Sequence, residues 1–498
     1  MSRGENKNKR RKEVISPAIM TGIMMLPLEL RQQIFKEIFR DDVARAVSVL
    51  QVSKQIYVEA QPYLFRRPLS FADQYELLGW MSKVGPQHLS LVQNLSFGLA
   101  DVHCHHQLRS LSSDSSDESL TPIDHLYISA LHQLSDALAH LSSITTLAIS
   151  RPPRAPSAAD PLYQRFVQSF FSSVLPCLYS GKLRSLSFET ISHLDLAFLS
   201  QLPRLRHLRF SGYSMSGPYE ALTYFQQVSR LTSLDLIGPP PGLTYHQRPG
   251  YTGPMVVLSI TPSVIVSLSP LTSLSITEHR DPLLRPTPSL PAPTYPSISS
   301  SFFDASDSDS EEPPHTPILD PFQEVFLSSS TFSAIHRRHR HTLTNLSISS
   351  SSPSSALTTA AFSRLLSSLE RLTTLSVDWC GKDPVAPFLC DLPGRVRRLD
   401  VGVRGEGEAR EVAEKVVAEL DWLPGLKDFT FLLDDPGDQC GGGSSTVRPA
   451  MDIFQRAGVR AFVQSAKPRL ARNQMVLPGL DIMMKDAGIS GLWMKQSW

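Results

Sequence analysis

A six-residue pattern, apolar-x-x-apolar-x-apolar, returns ten times between Val92 and Phe431, which commits most of the chain to repeating one small piece of structure. The copies are Val92–Phe97, Ile144–Ile149, Leu183–Phe188, Leu205–Phe210, Leu231–Leu236, Leu271–Ile276, Leu343–Ile348, Leu372–Val377, Val396–Val401 and Leu426–Phe431. The closing apolar-x-apolar puts two side chains on one face of a strand, with a residue between them facing the other way. Leu186, Leu208 and Leu234 are 22 and 26 positions apart, and Leu346, Leu375 and Leu399 are 29 and 24 apart. Two gaps are longer, 40 from Leu234 to Leu274 and 72 from Leu274 to Leu346, as an insertion or a degenerate repeat would make them.

Helical periodicity precedes several copies. Tyr163, Phe166, Val167, Phe170, Phe171 and Val174 recur at i, i+3, i+4, i+7, i+8 and i+11, and Phe362, Leu365, Leu366 and Leu369 repeat the motif, as do Val412, Val416, Val417 and Leu420. A helix then a short strand, many times over, predicts an α/β solenoid with strands on the concave side and helices on the convex side. On these residues the stretch from Leu89 to Leu433 resembles the irregular leucine-rich repeats of F-box proteins, whose units run to 20–29 residues. It lacks the Asn or Cys that usually follows the pattern: Glu189 and Thr190 follow Phe188, and Ile237 and Gly238 follow Leu236. A set of unrelated strands in an α/β protein is the competing expectation.

Ahead of the array, Leu26–Phe39 has Pro27 near a helix start and apolar residues at Leu30, Ile34, Phe35, Ile38 and Phe39. Val43, Val47 and Leu50 form a second apolar set, and Ser53 can cap a third helix that runs toward Phe65. Three short helices cannot bury every apolar side chain among themselves, so a partner or the array should cover the rest. The segment from Met24 to Phe71 resembles an F-box through Leu26, Pro27, Glu29, Ile34, Phe35, Leu50, Val52, Ser53 and Lys54. Tyr57–Ala60 and Pro62–Phe65 replace the usual Trp-containing end, a form similar to fungal F-box-like proteins. The resemblance implies that Leu26, Pro27, Glu29, Leu30, Ile34, Phe35, Leu50, Val52, Ser53 and Lys54 dock on the Skp adaptor of a cullin-RING (SCF) ubiquitin ligase. A small helical cap on the first repeat remains the alternative.

Composition sets the boundaries. The 498 residues include 67 serines, concentrated in Ser110–Ser119, Asp281–Pro317 and Ser349–Ser355, which hold too few apolar side chains to repay ordering and read as disordered insertions. Ser306, Ser308 and Ser310 lie beside carboxylates, a context for acidophilic kinases or simply an acidic solvated loop. Gly441–Ser445 is a further break. The expected organisation is a basic tail over 1–23, an F-box-like domain over 24–71, a repeat array over 89–433 with insertions near 110–119 and 281–317, and a C-terminal cap or tail over 446–498, with Trp493 and Trp498 as packing candidates. The uncharged stretch Met255–Ile276 carries eight Ser/Thr and two Pro, and with Val264, Val266 and Leu268 alternating it reads as strands, not a membrane span.

Chemistry is conspicuous by its lack of motif. The chain holds no G-x-x-x-x-G-K-[ST], H-E-x-x-H or G-x-S-x-G, so no enzymatic activity, cofactor or metal site is expected. His103–His106 offers adjacent residues that point apart, and His336–His341 reads as an exposed basic helix end. Five scattered cysteines without a CxxC pair fit a reducing compartment, cytoplasmic or nuclear, the latter through Lys9–Lys12. The formal charge of +1 argues against a body built for polyanions, and nucleic acid is not expected. On the concave face Arg206, Arg209, Arg397 and Arg398 suit an acidic or phosphorylated protein substrate. The function implied is a substrate-recognition subunit of a ubiquitin ligase, and the alternative is a repeat scaffold that binds proteins with no ligase role.

Overall fold

The computed structural model describes residues 23–41, 53–102, 122–152, 161–191, 193–238, 256–278, 327–350, 360–379, 391–403, 406–418, 420–421, 423–433 and 447–465. Leu50, Val52, the basic tail, His103–His106, the serine segments 110–119 and 281–317, Gly441–Ser445 and the tail with Trp493 and Trp498 lie outside these residues. The protein is α/β, and all its main strands are parallel. It divides into two compact units.

The first unit opens with two helices, α1 (Leu28–Asp41) and α2 (Lys54–Arg66). Ser53 caps α2 as its sequence predicts, its Oγ accepting from the Ile56 N–H at 3.1 Å. Strand β1 (Leu69–Phe71) follows, then α3 (Gln74–Met81), α4 (Pro86–Leu89), β2 (Asn94–Gly98), α5 (Pro122–Ala139) and β3 (Thr146–Ser150). The three strands pair in chain order, with Leu69 beside Leu95 and Leu95 beside Leu147. Strand β1 escapes the six-residue pattern because Arg66 stands where its first apolar residue would be.

The second unit holds α6 (Pro161–Ser169), which continues through a wider turn, Phe170–Val174, into α7 (Leu175–Tyr179), whose residues from Cys177 on belong to the first unit. Its strands are β4 (Ser185–Phe188), β5 (His207–Phe210), β6 (Tyr213–Ser214), β7 (Ser233–Leu236), β8 (Val257–Leu258), β9 (Ser273–Glu278), β10 (Asn345–Ser350), β11 (Thr374–Trp379), β12 (Arg398–Val403), β13 (Asp428–Leu433) and β14 (Arg460–Ser465). Between them run α8 (Pro218–Gln227), α9 (Pro262–Ser267), α10 (Ser329–His339), α11 (Ala360–Ser368), α12 (Glu406–Ala418) and α13 (Arg448–Arg456). Apart from the small antiparallel pair β6 and β8, each strand pairs with the next in the chain, so the sheet has no point at which strand order reverses.

All ten copies of the pattern are strands, and within each unit they stack in register. Leu186, Leu208, Leu234, Leu274, Leu346, Leu375, Leu399 and Phe429 align as one buried row, with Phe188, Phe210, Leu236, Ile276, Ile348, Val377, Val401 and Phe431 as the next. Each such side chain contributes about 1.5–3 kcal/mol through burial, and repetition multiplies that. Phe188, Phe198, Phe171 and Phe210 pack with ring centroids 5.1–5.8 Å apart at the β4 end, and Phe429, Phe431 and Phe454 pack at 4.3–5.8 Å at the β13 end. The two long gaps are insertions between directly paired strands: Leu234 lies beside Leu274, and Leu274 beside Leu346.

Three expectations need correction. Val264 to Ser267 lie in a helix, not a strand, because Pro262 opens α9 at a position where its missing N–H costs nothing and buries Val264 and Ile265. Ser349 and Ser350, expected in a loop, are the last residues of β10, held by pairing to Asp378 and Trp379. The end of α10 is exposed at Arg337 and Arg340, but His339 is fully buried. Strand β14 was unforeseen because Ala461 and Val463 take the inward positions, a pair too small and too short to show as the pattern, while Phe462 faces out.

Candidate interaction surfaces

The helix pair has its own small core: Phe35, Phe39, Ile56, Ala60 and Leu64 are buried, with Ile23, Met24, Ile38, Tyr63 and Phe65 packed at its edge. A polar clamp fixes its geometry. Arg31 Nε and Nη2 donate to the two Glu59 carboxylate oxygens at 2.8 and 2.9 Å, and Nη1 donates to the carbonyls of Leu26 and Met24 at 2.7 and 3.2 Å. One side chain thereby ties α1, α2 and the chain leading into α1 together. The same guanidinium, with Gln55, holds the Glu59 carboxyl below the usual carboxylate range.

With that core closed, other apolar side chains stay outside. Leu28 and Leu30 on α1 are 44% and 46% exposed, and Tyr57 and Val58 on α2 are 43% and 62% exposed. Among the residues expected to dock a partner, Pro27, Glu29, Leu30 and Lys54 are exposed, Leu26 and Ile34 are half-buried, and Ser53 is spent on its cap. Phe35 is fully buried in the core, where it can shape the pair but touch no partner. Leu28, Tyr57, Val58 and the Arg31–Glu59 clamp were not singled out from sequence. Val58 lay inside the segment read as a departure from the F-box form, and the clamp joins residues 28 positions apart.

The second surface is the outward face of the strand stack. From β4 to β13 its first row reads Ser185, His207, Ser233, Ser273, Asn345, Thr374, Arg398 and Asp428, and its second Ser187, Arg209, Asp235, Ser275, Ser347 and Ser376, ending in Asp400 and Thr430, which are buried. The middle is hydroxylated, as read from sequence. Its arginines, however, are already paired. Arg209 contacts Glu189 and lies 3.4 Å from Asp235, and Arg398 Nε donates to both Asp400 oxygens at 2.9 and 3.2 Å. Burial pushes the Glu189 carboxyl up, and the nearby Arg209 holds it back. Arg206 and Arg397 sit just before β5 and β12, exposed, so the four arginines do not form one set.

Threonine hydroxyls tie successive strands together. Thr232, Thr272, Thr344 and Thr373 each donate a hydroxyl to the carbonyl one strand back, at 2.9–3.3 Å, alongside two backbone N–H groups. Leu-Thr-x-Leu stands in the sequence at all four positions, so this ladder was legible. Near the C-terminal ends of the strands, Asp378 accepts from Ser349 Oγ at 3.1 Å and leans over Gly402, where any Cβ would collide with it.

Among the described residues no cluster of three His, Cys, Asp or Glu side chains could hold a metal ion, and no helix is long and apolar enough to cross a membrane. Compared with protein-family models and with curated proteins, the chain has no match in either.

Proposed function

We propose that the chain is the substrate-receptor subunit of an SCF-type ubiquitin ligase, with α1 and α2 as an F-box-like module for the Skp adaptor and the strand stack as a leucine-rich-repeat solenoid for a protein substrate. The observation that carries this reading is the helix pair, whose core is closed while Leu28, Leu30, Tyr57 and Val58 remain outside. Apolar side chains on both helices of a small module suit a macromolecular partner. The unbroken strand order of the second unit supports a solenoid, since each strand contacts only its chain neighbours. The receptor has no catalytic centre, metal or cofactor in this reading. It raises the effective concentration of substrate beside the transferring enzyme, with cullin joined through the adaptor, in the cytoplasm or nucleus.

The test is affinity capture of the full chain, probed for Skp adaptor and cullin, beside a Leu30→Glu, Val58→Glu variant. Both positions are exposed, so the variant keeps the fold and should lose both proteins. A folded intact chain that captures neither leaves the second reading, a repeat scaffold without ligase chemistry.

A further inference from the structure

Two groups of cations lie along the strands of the second unit. Those inside strands have carboxylates beside them: Arg209 with Glu189 and Asp235, Arg398 with Asp400, and Arg460 with Asp428 at 2.7 Å. Those at strand starts do not. Arg184, Arg206, Arg397 and Lys427 each stand immediately before a strand, and Arg204, Arg230, Arg371 and Arg395 lie two residues before such a position. All eight are exposed, and among the described residues no ion pair or side-chain hydrogen bond engages any of them.

Backbone bonds put these positions in single file. The N–H groups of Arg206, Thr232, Thr272, Thr344, Thr373, Arg397 and Lys427 each donate to the carbonyl of the corresponding residue one strand back, beginning at Arg184. The rim therefore runs Arg184, Arg206, four threonines, Arg397, Lys427, with neighbours about 4.8 Å apart. Like charges on adjacent strands repel, and no Asp or Glu occupies any of the eight positions in this file to offset them. A fold that supplies carboxylates to its strand arginines and withholds them from the rim keeps those cations available.

We propose that this rim binds an extended acidic segment of a partner protein, which on the receptor reading is the substrate. Two acidic runs would lie over Arg184/Arg206 and Arg397/Lys427, with the chain between them passing the threonine hydroxyls. Five strand spacings separate Arg206 from Arg397, roughly 24 Å, or about seven residues of extended peptide. Single-stranded nucleic acid fits less well. None of the rim residues is aromatic, so stacking platforms are missing, and Thr272 and Thr344 at mid-rim have no Arg or Lys at or two residues before them to meet successive phosphates.

The probe is a fluorescein-labelled peptide with two Glu/Asp runs separated by about seven Gly/Ser residues, titrated against the full chain by anisotropy at low and high salt. A peptide with adjoining runs and a labelled oligouridylate are titrated beside it. The spaced peptide should bind in a salt-sensitive way, better than the adjoining one, and an Arg206→Ser, Arg397→Ser variant should weaken it by about tenfold while Arg206→Lys, Arg397→Lys does not. No binding to the intact folded chain, binding unchanged in the serine variant, or tighter binding of oligouridylate would overturn the proposal. Adaptor capture is scored on the same proteins. Peptide binding without adaptor capture rejects the ligase role and keeps the rim site, whereas the reverse rejects the rim site alone.

Discussion

The helix pair and the strand stack treat apolar side chains in opposite ways. In the stack, successive strands present Leu, Phe, Ile or Val to their neighbours in register, and both inward rows are buried from β4 to β13. In the pair, five buried residues and one ion-pair clamp hold two helices together, while four large apolar residues face out. The stack meets its burial needs by repetition, so its outward face is free to vary. The pair is too small for that and leaves Leu28, Leu30, Tyr57 and Val58 exposed.

If that contrast is real, equal insults should have unequal effects. The largest should come from Phe210→Ala, which empties a site between Phe188 and Phe225 and should cost about 3–5 kcal/mol in denaturant unfolding. By comparison Leu30→Ala and Val58→Ala should change stability by about 0.5 kcal/mol or less, with adaptor capture as their readout. Equal losses of stability would erase the distinction.

The next effect is a pH dependence confined to the stack. Buried His339 accepts from the Leu271 N–H at Nδ1, so its proton sits on Nε2 and is donated to the Ile265 carbonyl, both at 3.1 Å. Burial holds it neutral, its pKa pushed down to about 4. An unfolded His titrates near 6.5, so as pH falls from there toward about 4 the unfolded chain binds a proton that the folded one refuses. His339 should therefore cost stability on acidification, on the order of 3 kcal/mol across that window. His339→Gln should flatten the slope below pH 6.5 in thermal unfolding, and an unchanged slope would place the titration elsewhere.

Smaller still is the clamp. Arg31→Ala should loosen α1 and α2 by about 1–2 kcal/mol, read as faster amide exchange there with the strands of the second unit unaffected. The smallest is Thr272→Val, which removes one rung of the hydroxyl ladder and should cost about 0.5–1 kcal/mol. These two losses should add, since they lie in separate units.

The strands were legible because a strand in a register-matched stack needs two apolar residues at fixed spacing, and the pattern records both. It failed where small residues suffice, at Ala461, and where a charge replaces the first apolar position, at Arg66. Helix α9 was misread because Val264, Val266 and Leu268 suggest a two-residue period, while the boundary is set by Pro262. Of the residues named from sequence at the candidate sites, Leu30, Arg206 and Arg397 are exposed. Sequence could not separate Arg206 from Arg209, because the carboxylates that occupy Arg209 arrive from 20 and 26 residues away. Nor could it tell Phe35, which is core, from Val58, which is surface, because helical spacing gives a stripe and only packing shows which side is covered.

The most direct measurement is hydrogen–deuterium exchange of the full chain with and without purified Skp adaptor. The account predicts slower exchange over Leu28–Asp41 and Lys54–Arg66 when the adaptor is present, and no change over the strands from β9 to β13. Exchange that is unaltered in both helices, or slowed only in the strands, would contradict it.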